Sequence, residues 1–146
     1  MPVLDAPLDL DLRGTIVVLP WADPVVEQLG HDPRSPYVEQ FYLALLGPTL
    51  TFLLRRIADA LDAWPDGFEA DLEELAGGLG LARTPGGRHG PFGRALGRAV
   101  KLGLAQPHPF GLSVRRKLPP LSYRQVAKLP PALQQAHRGW HADDAA

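Results

Sequence analysis

The sequence predicts a mainly α-helical domain with one small β-hairpin, and three observations support this. Apolar residues recur at helical spacing over residues 37 to 63. Two shorter helical patterns follow, over residues 71 to 80 and residues 91 to 102. Short alternating segments on either side of residues 107 to 111 have the period of paired strands. At 146 residues and 45% hydrophobic content, the chain is long enough for one domain with its own core.

Residues 1 to 36 are the first predicted unit, an acidic, proline-rich N-terminal extended arm. Leucine and aspartate alternate over residues 8 to 12, which fits either an edge strand or a disordered arm. Residues 15 to 19 are mostly β-branched and end at a proline, which predicts a short strand. Asp23 and Pro24 then suit the N-cap and the first residue of a short helix.

Residues 37 to 117 are the predicted core domain, and the helix over residues 37 to 63 is its longest element. Ser35 suits the N-cap of this helix, whereas Gly47 and Pro48 predict a kink or a break in its middle. The aromatic residues of its first half leave two alternatives open. They belong either to the core or to a contact with a second copy of the chain in a homodimer.

The helical pattern over residues 91 to 102 separates basic from apolar residues. Arg94, Arg98 and Lys101 fall at positions i, i+4 and i+7, which places them on one face. The opposite face is apolar and suits a core, with Phe92, Ala95, Leu96 and Ala99. A preceding helix, capped by Asp71 and ended by Gly80, would support this basic helix.

The predicted hairpin carries a second group of basic residues. Leu112 and Val114 share its inward face, and the strand continues into Arg115, Arg116 and Lys117. Residues 118 to 146 form the predicted C-terminal helical tail, with helices over residues 122 to 128 and 132 to 141. This tail is expected either to pack on the long helix or to contact a partner chain.

Charge is divided unevenly along the chain, although the formal net charge is only −1. Residues 1 to 74 contain fourteen Asp and Glu and four Lys and Arg. Residues 75 to 142 contain eleven Lys and Arg and no Asp or Glu. This segregation indicates a surface that faces a polyanion, with an acidic part that faces away from it or competes for it.

Several classes of protein lack support in the sequence. There is no cysteine, and a thiolate metal site or cysteine nucleophile is thereby excluded. His137 and His141 have a metal-ligand spacing, but there is no Glu between them as in the HExxH motif and no cysteine in the chain, so we expect no metal and no cofactor. His31, Asp32 and Ser35 are close in sequence without a readable catalytic arrangement, so we expect no enzyme. No signal peptide or membrane span is expected, and the predicted location is cytoplasmic.

Three segments together resemble a winged helix-turn-helix regulator of the bacterial, actinobacterial-style kind. They are Phe-Glu-Ala-Asp-Leu-Glu-Glu-Leu-Ala from residue 68, Arg-Ala-Leu-Gly-Arg-Ala-Val-Lys-Leu-Gly-Leu-Ala from residue 94, and Leu-Ser-Val-Arg-Arg from residue 112. The resemblance implies a recognition helix in the major groove and a wing at the neighbouring backbone or minor groove. The residues expected to contact DNA are Arg83, Arg88, His89, Arg94, Arg98, Lys101, Arg115, Arg116 and Lys117.

The sequence therefore predicts a winged-helix protein that binds double-stranded DNA, as a transcriptional regulator. Two alternatives remain open at this stage. One is a winged-helix module for protein–protein interaction or assembly, in which the basic face meets an acidic partner. The other is a replication protein of a mobile element, which sequence patterns do not separate from a regulator.

Overall fold

A computed structural model describes residues 14 to 81 and 90 to 140, which form a mixed α/β fold. In chain order the elements are β1 (Thr15–Pro20), α1 (Pro24–Leu29), a π-helical turn (Val38–Tyr42), α2 (Leu43–Ala63), β2 (Phe68–Asp71), α3 (Leu72–Gly78), α4 (Pro91–Lys101), β3 (Ala105–His108), β4 (Gly111–Val114), α5 (Tyr123–Ala127) and α6 (Pro131–Arg138). The predicted helices and hairpin are present. The fold nevertheless contains more sheet than the predicted mainly α class, because the hairpin is half of a four-stranded sheet.

Strand β1 lies inside this sheet, whose order is β2-β1-β4-β3. It pairs antiparallel with β2 and parallel with β4. Ile16 and Val18 are buried in the core, at 7% and 1% exposure. The prediction of an N-terminal arm is therefore wrong for residues 14 to 36, which are integral to the fold. The alternating residues 8 to 12 lie outside the described residues.

Gly111 marks the closest approach of β4 to β1. The Val17 N–H donates to the Phe110 carbonyl at 2.9 Å, which holds the two strands together at this point. A Cβ atom on residue 111 would lie 2.4 Å from the Val17 carbonyl oxygen and 2.9 Å from Ile16 Cβ. Both distances are far inside van der Waals contact, so the pairing of β1 with β4 requires glycine here.

Helix α2 confirms the predicted long helix and the predicted kink. Gly47 adopts φ 78° and ψ 164°, which interrupts the helix, and Pro48 follows as the first residue of the second part. The Thr51 hydroxyl, which is buried, donates to the Gly47 carbonyl at 2.8 Å. Beyond the kink the other residues of the inward face are apolar and buried, with Leu50, Leu53, Leu54, Ile57 and Leu61.

The aromatic first half of this helical segment is buried in its own chain. Tyr37, Val38, Phe41 and Tyr42 are each at most 3% exposed. The residues that suggested a homodimer are therefore core residues, and homodimerisation stays a prediction without this support. The stretch Val38–Ala63 is long and apolar enough to cross a membrane, a property that buried core helices of soluble proteins share.

Helix α3 has the predicted caps, and helix α4 has the predicted core face. The Asp71 carboxylate accepts the Glu74 N–H at 3.0 Å at the start of α3, and Gly80 has φ 80° just after its end. Helix α4 packs against α2 through side chains that are at most 5% exposed, namely Phe92, Ala95, Leu96 and Ala99. The amphipathic pattern of α4 therefore places its basic residues away from the core.

The C-terminal segment packs back on the long helix, which was one of the two predicted alternatives. The Leu121 N–H donates to the Tyr37 hydroxyl oxygen at 3.0 Å, and the same hydroxyl lies 2.8 Å from His137 Nε2. The Trp140 ring meets Tyr37 edge-on with centroids 5.8 Å apart. Three leucines of this segment complete the core: Leu118, Leu121 and Leu129.

His31 covers the other side of this tyrosine. Its ring stacks on Tyr37 with centroids 3.7 Å apart and 12° between the ring planes. Burial lowers the pKa of His31, and the neighbouring positive charges of Lys117 and His137 lower that pKa further. The packing around Tyr37 therefore favours a neutral His31.

We expect Gly111→Ala to lower the free energy of unfolding by about 2–3 kcal/mol, because the added methyl group overlaps the Val17 carbonyl. Urea denaturation followed by circular dichroism measures the change. Gly97→Ala is the matched control, because Gly97 lies inside α4 and a Cβ atom there meets nothing within 4 Å. The control should gain roughly 1 kcal/mol of stability, since alanine is the better helix former. Equal losses in both variants would contradict the close approach of β4 to β1.

We also expect the protein to lose stability as the pH falls below about 6.5, the ordinary pKa of histidine. The folded state holds the pKa of His31 below that of the unfolded chain, so the unfolded chain binds more protons on acidification. His31→Phe keeps an aromatic stack on Tyr37 and removes this titration. Urea midpoints at pH 7.5 and 5.5 should therefore differ less for His31→Phe than for the unmodified protein, and equal differences would contradict the expectation.

Candidate nucleic-acid interface

Helix α4 carries the largest group of unburied basic residues that the sequence predicted. Arg94, Arg98 and Lys101 are all exposed on the face opposite its buried apolar residues. Gly90 and Pro91 begin the helix, and the two basic residues of its last turn lie where the negative end of the helix dipole favours them. The structure therefore brings these three predicted residues together on one surface.

Arg98 also contacts the helix that lies beside α4. Its guanidinium donates a hydrogen bond to the Leu45 carbonyl, two residues before the Gly47 kink. The kink removes the helical partner that this carbonyl would otherwise have, so the arginine satisfies a freed acceptor. Arg98 thus joins the two helices while its side chain stays on the exposed surface.

A groove of about 280 Å³ runs between α4 and the kink. Arg94 and Arg98 line one side of it. The other side is the kink itself, from Leu46 to Leu50, where the second part of α2 begins. The lining thus combines two guanidinium groups with a helix N-terminus, and both attract anions.

Arg115, by contrast, is fixed within the protein. Its Nε donates to the Gly103 carbonyl at 2.8 Å, and its Nη1 donates to the Asp23 carboxylate at 2.8 Å. The guanidinium lies over the Trp21 ring, 3.8 Å from the ring centroid. The hydrogen bond from Arg115 also lowers the pKa of Asp23. With a side chain only 15% exposed, Arg115 joins α1 to the hairpin rather than facing a ligand.

Arg116 belongs to an ionic network at the C-terminal end of α2. Its Nη2 donates to the Asp62 carboxylate at 2.8 Å, and Arg34 binds the same aspartate. Arg34 also pairs with Asp32 and Asp59, each at 2.8 Å. The hydrogen bond from Arg34 is the main reason that the pKa of Asp62 is lowered. Acidic residues of the N-terminal half therefore engage this basic residue of the hairpin.

The two predicted basic groups do not form one continuous flank. Arg116 is anchored at Asp62 and Arg98 at Leu45, near opposite ends of α2. At 1.5 Å per residue these anchor points are about 25 Å apart. The prediction that Arg115 and Arg116 join α4 in contacting one ligand is therefore corrected, because both arginines are bound by aspartates of the same chain.

The remaining predicted site residues fall into two groups. Lys117 is partly exposed and lies close enough to His31 and Asp32 to lower the pKa of both groups. It therefore sits with the N-terminal loop rather than with α4. Arg83, Arg88 and His89 lie outside the described residues.

Sequence analysis missed the contribution of α2 to this surface. In the sequence, Gly47 and Pro48 indicate only a kink in the long helix. The kink in fact lines the groove beside α4, and Arg56 reaches the α3 carbonyl of Gly78 at 3.1 Å. No periodic signal in the sequence indicates which helix will lie beside a kink.

In residues 14 to 81 and 90 to 140, no three His, Asp or Glu side chains converge in an arrangement that could hold a metal ion. Comparisons of the chain with protein-family models, with curated proteins and with solved structures give no match.

We expect Arg115→Ala to destabilise the fold by about 2–3 kcal/mol, because it removes two charged hydrogen bonds and a cation–π contact. Thermal unfolding followed by circular dichroism tests this. Arg116→Ala is the matched control, since its ion pair with Asp62 is solvent-exposed and such pairs contribute little. A midpoint unchanged by Arg115→Ala would show that this arginine does not join α1 to the hairpin.

Proposed function

We propose that the protein is a winged-helix DNA-binding regulator that contacts duplex DNA through α4. One observation carries the proposal. Arg94, Arg98 and Lys101 share the exposed face of a helix whose opposite face is buried in the core. A rigid helix with a row of cations on its free side fits the major groove of DNA in width and in charge.

The order of elements supports the winged-helix interpretation. Helix α2, strand β2, helices α3 and α4, and the hairpin of β3 and β4 follow each other in the order of that fold. Strand β1 is an addition, which pairs with β2 on one side and with β4 on the other. This interpretation treats the protein as a winged helix whose sheet is enlarged by an N-terminal strand.

The three basic residues have different chemical roles in this proposal. Arg94 and Lys101 are exposed and can contact phosphates, or the guanine edges that arginine recognises in the major groove. Arg98 donates one guanidinium hydrogen bond to the Leu45 carbonyl. This bond orients the remaining donors of the Arg98 side chain. Arg115 and Arg116 do not take part in the proposed contact with DNA, because each pairs with an aspartate of the same chain.

A second candidate is a module for protein–protein interaction or assembly. One observation favours it: arginines of the hairpin pair with aspartates of the same chain, and the exposed basic residues of α4 offer the same chemistry to carboxylates of another protein. In this case α4 would bind an acidic protein surface instead of DNA. Its distinguishing property is salt-sensitive association with acidic protein, without any shift in the mobility of DNA.

We expect the double variant Arg94→Gln/Lys101→Gln to weaken duplex DNA binding about tenfold or more at moderate salt. Each lost phosphate contact reduces the slope of log K against log salt by about 0.9, so the slope should fall by roughly 2. Fluorescence anisotropy with a labelled duplex, repeated across a salt series, measures the affinity and the slope.

The matched control removes the same charge elsewhere. Arg124→Gln/Lys128→Gln changes two exposed basic residues in and beside α5. This control should retain the slope of the unmodified protein. Equal losses in the two double variants would mean that only net charge matters, and a lack of binding at low salt would remove the proposal.

A further inference from the structure

The surface around the kink in α2 extends beyond the groove beside α4. A second groove, of about 260 Å³, lies between α2 and the end of α3. Pro48 and Thr49 line both grooves, so the two grooves adjoin across these residues. We call the two grooves together the kink surface. A ligand that follows this surface passes from α4, over the kink, toward α3.

The second groove contains an exposed aromatic ring. Phe52 is 54% exposed, although most of the large apolar residues of α2 are buried. The Arg55 guanidinium lies over its ring, 5.6 Å from the centroid. Arg56 is held in the same groove by its hydrogen bond to the Gly78 carbonyl. The groove therefore offers an aromatic face with guanidinium groups beside it.

Charge limits the kind of ligand that fits the kink surface. Among the described residues that line the two grooves, the ionisable ones are all arginines, namely Arg56, Arg94 and Arg98. An anionic partner is therefore favoured over a cationic or neutral one. An exposed ring beside such a row of cations suits a partner that alternates anionic groups with flat aromatic ones, and a nucleic-acid strand has that composition.

The kink itself does not arise from crowding at its centre. A Cβ atom on Gly47 would meet nothing within 4 Å, and the glycine is needed only for its φ of 78°. The interrupted helix loses backbone hydrogen bonds, one of which Arg98 replaces. The interruption also places Pro48 and Thr49 where they border both grooves.

We infer that the kink surface binds an unpaired nucleic-acid strand, with a base stacked on Phe52 and a backbone phosphate near Arg56. The inference rests on the proposed contact of α4 with duplex DNA and narrows its substrate. The preferred ligand is then a duplex that continues into a single strand, with the paired part on α4 and the unpaired part crossing the kink toward α3.

The test compares a blunt duplex with the same duplex carrying a short oligo-dT tail. Stacking of one base on an aromatic side chain is expected to raise the affinity for the tailed DNA about tenfold. Phe52→Trp should keep this gain, because it keeps a flat aromatic face. Phe52→Leu should lose the gain, while its affinity for the blunt duplex stays unchanged.

Phe110→Leu is the matched control, since Phe110 is an exposed phenylalanine on the β3–β4 turn, at 74% exposure. It should retain the full gain from the tail. A second readout does not depend on the leucine variant. In Phe52→Trp, oligo-dT should quench the tryptophan fluorescence beyond the change seen in the unmodified protein.

The possible failures are distinguishable. Blunt duplex binding without a gain from the tail overturns the inference and leaves the proposed function standing. Binding of neither DNA removes the proposed function. Binding of an acidic polypeptide that depends on Phe52, without any binding of tailed DNA, overturns the inference in favour of a protein partner.

Discussion

The pairing of β1 with β4 determines whether the basic residue that follows β4, Arg115, can face a ligand. It requires Gly111, because any side chain there overlaps the Val17 carbonyl. Once the strands are paired, the Trp21 N–H donates to the Val114 carbonyl at 2.9 Å, which brings Trp21 and Asp23 beside the next residue, Arg115. The arginine is then held between a ring, a carboxylate and the Gly103 carbonyl. The pairing of strand β1 thus gives Arg115, a residue predicted to contact a ligand, a structural role.

Much of the local structure could be predicted because it depends on neighbouring residues. Asp71 caps α3, Gly80 ends it, and Gly47 with Pro48 breaks α2, since each effect is set within a few residues of the chain. Strand β1 was also predicted as a strand, but its partners were not. A short β-branched run has two edges and carries no information on which strands will occupy them. The same limit explains the site, because the aspartates that bind Arg115 and Arg116 are distant in sequence.

Charges that are segregated along the sequence are partly brought together in the folded structure. The segregation indicates a basic surface that faces a polyanion, with an acidic part that either faces away from it or competes for it. Part of the charge is paired across the fold, through Arg115 with Asp23 and Arg116 with Asp62, as the second alternative expects. Helix α4 presents a smaller exposed group, Arg94, Arg98 and Lys101, of which the two arginines line the groove at the kink in α2. Linear charge patterns overestimate a binding surface whenever opposite charges meet across a sheet or a helix.

The position of the C-terminal segment has a consequence for how the protein is made. His31 pairs with Leu118 through backbone hydrogen bonds in both directions, each 2.8 Å, so the two ends of the fold are joined there. His31 covers one side of Tyr37, and residues from Leu118 onward, including Leu129, complete the cover of the core around it. During synthesis the aromatic cluster of the long helix therefore stays partly uncovered until these later residues have left the ribosome. Chains that end before residue 118 would expose this apolar surface to chaperones and proteases.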